Sequence, residues 1–148
     1  MTEERANKIY NQVLKLVEAK LSNTTTYQRD LLNFGKRVFG NKFVGVHASN
    51  EIPKLKEGDY AILNLDKSSE PGSHWIAVAM KNNNTHVYDS FGRDSKKIIP
   101  SVFKSGNGMI LDADDDAEQE DSELNCGARS FSFLLVFHIW GKDVAMLI

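Results

Sequence analysis

Cysteine, histidine and aspartate can together form a thiol-based catalytic site, and this chain of 148 residues has one cysteine, Cys126. A lone cysteine is most often a small buried apolar residue, and it excludes both an internal disulfide and a zinc site built on several thiolates of this chain. However, Cys126 opens a long apolar run whose length favours a helix. The first turn of a helix stabilises a thiolate through its free N–H groups and its dipole. Cys126 is therefore a candidate nucleophile, and its backbone N–H is a candidate donor to an oxyanion.

A second candidate pair lies on two predicted strands that are joined by a turn. His74 opens one apolar strand and Asp89 ends the return strand. If Met80 pairs with Thr85 across a four-residue turn, His74 faces Phe91 and Asp89 lies two residues along on the same side of the sheet. An imidazole beside a carboxylate has its tautomer fixed and its cation stabilised, as a general base requires. The alternative is a chance contact between two residues that are common at strand ends.

These candidates must be positioned by the rest of the chain, whose pattern predicts one α+β domain over residues 1–148. Residues 1–40 form a helical portion, with one helix over 3–21 and a second from Thr25 or Thr26 to about Phe39. Residues 41–148 form the core that carries the site. Its predicted strands are 43–46, 60–65, 74–80, 85–90 and 109–111.

Composition narrows the function classes. With 18 basic and 20 acidic side chains, the net charge of -2 is too even to indicate a nucleic-acid binder. No run approaches the roughly 18 apolar residues of a membrane span. The charged start of the sequence lacks the apolar segment of a secretory signal, so we expect neither a membrane protein nor a secreted one.

The order of the candidate residues resembles a known family. The stretch His74-Trp-Ile-Ala-Val-Ala-Met is followed by Val-Tyr-Asp89-Ser-Phe-Gly, and then by Gln119 seven residues before Cys126-Gly. Together they resemble the adenovirus maturation protease (adenain) and the wider group of peptidases that remove SUMO-like modifiers. The resemblance extends from about Phe39 to Phe137.

This resemblance implies a papain-like cysteine protease fold of the adenain type. A central mixed or antiparallel sheet would pack on a buried helix that begins at the nucleophile, with two N-terminal helices. Cys126 would attack the scissile carbonyl, His74 would be the base and Asp89 would orient it. Gln119 would stabilise the oxyanion, although taken alone it has the pattern of a surface glutamine. Trp75 would help to wall the site, and Gly127 leaves room for the substrate backbone.

The implied activity is that of a cysteine endopeptidase which cleaves capsid or scaffold precursors during virion maturation, after small residues such as Gly. The compact length is most like proteases of virophages, related small DNA viruses and mobile elements, so the expected location is the host cytoplasm or virus factory and the virion. Removal of a ubiquitin-like or SUMO-like modifier is an alternative with the same chemistry.

The adenovirus enzyme is activated by DNA and by a peptide joined through a second cysteine. The second cysteine is absent here, so we expect no disulfide-linked activator. Nucleic acid stays possible as a partner but has no support from the charge. The expected protein is a monomer that acts on polypeptides without a cofactor or a metal.

The acidic segment 112–123 offers a competing hypothesis, a calcium-binding module. Ala117 replaces the glycine that an EF-hand loop needs at its turn, and Gln119 replaces its usual apolar residue. A solvated acidic loop, or acids that favour basic substrates, are the other interpretations. Six acids match the ligand positions of such a loop: Asp112, Asp114, Asp116, Glu118, Glu120 and Glu123.

Overall fold

A computed structural model describes residues 1–21, 28–48, 51, 54–64, 74–92, 108–113 and 126–148. Two helices come first, α1 (Glu3–Leu21) and α2 (Gln28–Phe39), and a short 3-10 turn follows at Gly40–Lys42. Five strands and two more helices follow within the described residues. They are β1 (Phe43–Ala48), β2 (Tyr60–Asn64), β3 (Trp75–Lys81), β4 (Asn84–Tyr88), β5 (Ile110–Asp112), α3 (Cys126–Trp140) and α4 (Lys142–Ala145).

The strands form one mixed sheet in the order β1-β2-β3-β4-β5. The central strand β3 runs antiparallel to both β2 and β4, whereas β1 pairs with β2 and β5 pairs with β4 in parallel. The predicted α+β class, with two N-terminal helices, a mixed sheet and a long helix that begins at Cys126, is confirmed. The short helix α4 was not predicted. None of the helices in the described part of the chain is both long enough and apolar enough to cross a membrane.

Helix α3 is the centre of the core. Every residue from Cys126 to Leu134 is buried, which explains why the sequence of this helix is apolar on all sides. One face of the sheet packs against α3, and α1 packs against α3 through an apolar stripe. The members of that stripe are Ala6, Tyr10, Val13, Leu14 and Val17.

The opposite face of the sheet is buried as well. Alternate residues of the central strands, among them Leu63, Ile76 and Val78, form a second apolar cluster with Leu55. A strand buried on both faces needs an apolar side chain at nearly every position. This explains the continuous run Trp-Ile-Ala-Val-Ala-Met in β3, whose residues from Trp75 to Met80 are all buried.

A two-residue turn joins β3 to β4. Asn82 and Asn83 have φ values of 55° and 62°, the left-handed backbone that a type I′ turn requires and that asparagine tolerates. The sequence suggested a four-residue turn, but Lys81 and Asn84 pair across the sheet. Shortening a turn by two residues preserves which face each side chain occupies. The predicted pair Met80 and Thr85 is therefore in register.

Candidate active site

The end of the sheet opposite this turn brings His74 and Asp89 together. His74 directly precedes β3 and Asp89 directly follows β4. The His74 Nε2 atom lies 2.7 Å from Asp89 Oδ1, and both residues are buried. Since a carboxylate accepts this bond, the ring carries a proton on Nε2. The cross-strand proximity that the register predicted is thus present in the structure.

Phe91 holds this pair in place from two directions. Its ring stacks on the His74 imidazole, with ring centroids 4.4 Å apart and an angle of 23° between the planes. Its backbone N–H also donates to Asp89 Oδ1 at 2.9 Å. The carboxylate oxygen therefore has two donors, which fix both its position and its charge. The sequence placed Phe91 opposite His74 but gave no indication of this second contact.

Cys126 is the third polar residue of the site, after His74 and Asp89. It is the first residue of α3, it is buried, and its side chain is near enough to His74 to contribute to raising the pKa of that imidazole. Because Asp89 occupies Nε2, the Nδ1 atom is the ring nitrogen available to the thiol. The first turn of α3 also presents N–H groups that have no acceptor within the helix. Both features suit Cys126 to the role of a nucleophile.

The pKa of His74 is raised above its ordinary value. Burial alone would lower the pKa, because the charged imidazolium loses solvation. Hydrogen bonds to Asp89 and Cys126, together with the charges of these two groups, outweigh burial. The site therefore favours an imidazolium between two anionic partners, the arrangement that activates a thiol nucleophile.

A second contact fixes the helix to the strand. The Ser130 hydroxyl donates to the Trp75 backbone carbonyl at 3.0 Å, and the bond is buried. Ser130 lies one helical turn after Cys126, and Trp75 directly follows His74. The bond therefore sets the spacing between the two elements that supply nucleophile and base. The sequence contained one indication of this role. Ser130 is a polar residue within an apolar run, four residues after a candidate nucleophile.

The remaining predicted residues have different outcomes. Trp75 is buried in the same apolar cluster as Cys126, and its place in the wall of the cleft stays a prediction. Gly127 is buried in the first turn of α3, where it adds no side chain beside the thiol. Gln119 lies outside the described residues, so its role as an oxyanion donor also stays a prediction.

The other three histidines have structural partners. His47 Nε2 contacts the Val44 carbonyl at 3.1 Å, and His86 Nδ1 contacts the Ala79 carbonyl at 3.3 Å. His138 Nδ1 contacts the Tyr60 hydroxyl at 3.1 Å. Burial lowers the pKa of both His86 and His138. All three rings thus differ from His74 in partner, and His86 and His138 also differ from it in charge preference.

The calcium hypothesis concerns residues that are mostly outside the described ranges. Asp112 belongs to β5 and is half-buried, and the acids from Asp114 to Glu123 are not described. Within the described part of the chain, no group of three His, Cys, Asp or Glu residues is arranged to hold a metal ion.

One sequence comparison with known proteins agrees with the resemblance found in the motifs. No protein-family profile matches the chain. A protein of Acanthamoeba polyphaga mimivirus named as a candidate thiol protease, R355, is 32% identical over 85 residues, covering 50% of this chain. The match spans only 28% of that viral protein's own length. The pS273R protease of ASFV matches 86% of this chain and 66% of its own, with 12% identity and a TM-score of 0.49. The chain is thus similar in sequence to a viral protein named as a thiol protease.

Proposed function

We propose that this chain is a cysteine endopeptidase in which Cys126 is the nucleophile, His74 the general base and acid, and Asp89 the residue that orients His74. The observation that carries the proposal is the buried series Cys126–His74–Asp89, with 2.7 Å between His74 Nε2 and Asp89 Oδ1. The sequence similarity to a viral protein named as a thiol protease supports the same chemistry.

The reaction follows from this geometry. The Cys126 thiolate attacks the scissile carbonyl carbon, and the negative charge moves to the carbonyl oxygen, where the Cys126 N–H and Gln119 would donate to it. The C–N bond then breaks as the His74 imidazolium gives its Nδ1 proton to the leaving amine, which leaves a thioester on Cys126. His74, now neutral, takes a proton from water, whose oxygen attacks the thioester and releases both the acid product and the thiolate.

Asp89 supports proton transfer by His74 in both the formation and the hydrolysis of the thioester. Its carboxylate accepts a hydrogen bond from the Nε2–H group, so the other ring nitrogen, Nδ1, is the one that exchanges protons with thiol, amine and water. Its charge also stabilises the imidazolium that forms whenever the thiol is ionised. A neutral amide at this position would retain part of the hydrogen bonding but none of the charge.

For the biological role, we propose maturation of capsid or scaffold precursors in a virion, with cleavage after small residues such as Gly. Gly127 supports access for an extended polypeptide, because the first turn of α3 has no bulky side chain beside the thiol. The chain would act as a monomer in the host cytoplasm or virus factory and be packaged in the virion. A disulfide-linked activator would need a second cysteine, and the sequence has only Cys126.

The direct test is covalent labelling with a peptide that ends in a glycine-derived electrophile. Wild-type protein should be labelled on Cys126, and the His74→Ala variant should be labelled far more slowly. The matched control is His138→Ala, which removes an imidazole from the end of α3 opposite Cys126. This variant should be labelled like wild type. Cleavage of a capsid-precursor digest, compared with a ubiquitin-like conjugate, then separates the two substrate classes. Full peptide cleavage by Cys126→Ala would refute the proposal.

A further inference from the structure

A buried polar cluster connects α1 to both halves of the site. The Tyr10 hydroxyl lies 2.7 Å from the Tyr88 hydroxyl, and Arg129 Nη1 donates to the Tyr10 hydroxyl at 3.3 Å. A phenolic oxygen accepts one bond and donates another, so Tyr10 can accept from Arg129 while it donates to Tyr88. Exposure is 0% for Tyr10, 1% for Tyr88 and 8% for Arg129.

The three members belong to three different elements. Tyr10 is on α1, Tyr88 is the last residue of β4, and Arg129 is on α3. The side chains that join them are held by aromatic packing as well. The Tyr10 and Tyr88 rings lie 5.9 Å apart, and Tyr88 stacks on Phe133 of α3 at 4.8 Å. The hydroxyl of Tyr10 is thus the point at which a helix, the sheet and the nucleophile helix meet.

The position of these residues in the chain links the cluster to the chemistry. Tyr88 directly precedes Asp89, so their Cα atoms are about 3.8 Å apart. Arg129 follows Cys126 by three residues, which is about 4.5 Å along a helix axis. A shift of Tyr88 therefore moves the carboxylate that orients His74, and a shift of Arg129 moves the first turn that carries the thiol.

We propose that Tyr10 is a positioning residue of the active site, through which α1 holds Asp89 and Cys126 at the spacing that His74 needs to bridge them. This inference rests on the proposed function, and it deepens it by giving α1 a role in the chemistry. Removal of the Tyr10 hydroxyl takes one hydrogen bond from Tyr88 and one from Arg129, so a single change acts on both neighbours.

The test uses the reactivity of Cys126 toward iodoacetamide as a function of pH, which needs no knowledge of the natural substrate. Iodoacetamide reacts with the thiolate form of cysteine. The titratable groups that face Cys126 are the His74 imidazole and, behind it, the Asp89 carboxylate. Alkylation at pH 6 reports how far His74 activates the thiol, because an unactivated thiol reacts slowly there. We expect Tyr10→Phe, which retains the ring, to react about tenfold more slowly at pH 6, with its profile moved toward higher pH.

The matched control is Tyr60→Phe. Tyr60 is also a buried tyrosine, with 6% exposure, whose hydroxyl contacts a residue of α3, in this case His138. His138 lies twelve residues after Cys126, about 18 Å along the helix. This control should lose a comparable amount of thermal stability while its pH profile stays that of wild type. A purely structural role for Tyr10 would make the two variants behave alike.

A double-mutant cycle keeps the test decisive if Tyr10→Phe folds poorly. Tyr88→Phe removes the other hydroxyl of the same bond, and it should give the same shift in the alkylation profile. The double variant should react no more slowly than the slower single variant, because both changes break the same bond between the Tyr10 and Tyr88 hydroxyls. A wild-type profile in both single variants would overturn the inference alone. An ordinary thiol profile in wild type would overturn the inference and the proposed function together.

Discussion

An imidazole lies near each end of helix α3, His74 beside its first residue and His138 in its last turn, and the two rings have opposite preferences for a proton. At the first turn, His74 lies between a carboxylate and a thiol, and its pKa is raised. At the last turn, His138 contacts the Tyr60 hydroxyl at 3.1 Å, and its pKa is lowered, first by partial burial and then by the nearby charge of Lys42. Both rings pack against aromatic side chains, Phe91 in one case and Phe39 in the other.

The difference shows what makes one of these sites chemically active. Aromatic packing restrains a ring but does not choose its charge. An anionic partner stabilises the imidazolium, whereas a neutral phenol gives it much less support. The nucleophile lies at the end of the helix where the dipole favours an anion, so helix and imidazolium act in the same direction.

The test of this contrast with the largest expected effect removes each ring in turn. We expect His74→Ala to reduce peptide cleavage by at least about 10³-fold, since general acid–base catalysis is lost and the thiolate loses its counter-ion. His138→Ala should change kcat/KM by less than about twofold. Steady-state kinetics on a fluorogenic peptide ending in Gly provide the measurement. Equal losses in the two variants would mean that the contrast has no functional meaning.

The second test removes the charge but retains the shape. Asp89→Asn should lower kcat by about 10² to 10⁴-fold, because the ring loses the anion that fixes its tautomer and stabilises its cation. The control is Asp143→Asn, whose carboxylate pairs with Lys142 at 2.9 Å on the exposed surface. That pair has little effect on stability or activity. Retention of wild-type kcat in Asp89→Asn would show that packing by Phe91 alone orients His74.

The third test concerns pH. The raised pKa of His74 means that the folded protein binds this proton more tightly than the unfolded chain does. Its stabilising contribution is present below about pH 6.5 and is lost as the pH rises through the raised value. For His138 the sign is reversed, because its lowered pKa disfavours folding as the pH falls below about 6.5. NMR titration of the ring protons should find His74 titrating above His138, and the reverse order would contradict the proposed ion pair.

The smallest expected effect tests the bond between helix and strand. Ser130→Ala should lower the free energy of unfolding by about 1 kcal/mol and reduce kcat several-fold, because α3 loses its bond to the Trp75 carbonyl. Ser132→Ala is the control, since that buried hydroxyl bonds to the Ala128 carbonyl of its own helix at 2.7 Å. Urea unfolding and peptide kinetics on both variants separate stability from positioning. A kcat loss shared by both serine variants would argue against a specific role for Ser130.

Much of this site could be predicted from local patterns. The alternation of two strands and a short turn is enough to place His74 near Asp89, because the register of a hairpin is a local property. The start of α3 at Cys126 follows from the length of one apolar run. The sequence overestimated the turn by two residues, since two adjacent asparagines can both take the left-handed conformation.

The contacts that hold the site together could not be predicted in this way. The bond from Ser130 joins residues 55 apart in sequence, and the bond from Arg129 to Tyr10 joins residues 119 apart. Such contacts depend on how whole helices pack, and no local period encodes them. Phe91 is intermediate, because its place was predictable but its hydrogen bond to Asp89 depends on the backbone after β4.

The packing of α1 against α3 has a consequence for how the protein is made. Synthesis proceeds at about 5 to 20 residues per second, so about 6 to 24 s separate the appearance of Tyr10 from that of Arg129. During this interval the apolar stripe of α1 has no α3 to cover it, and contacts between such distant residues form slowly. The growing chain therefore exposes an apolar helix before its nucleophile has been synthesised. The risk of aggregation comes first, and the risk that the thiol cleaves other proteins comes later.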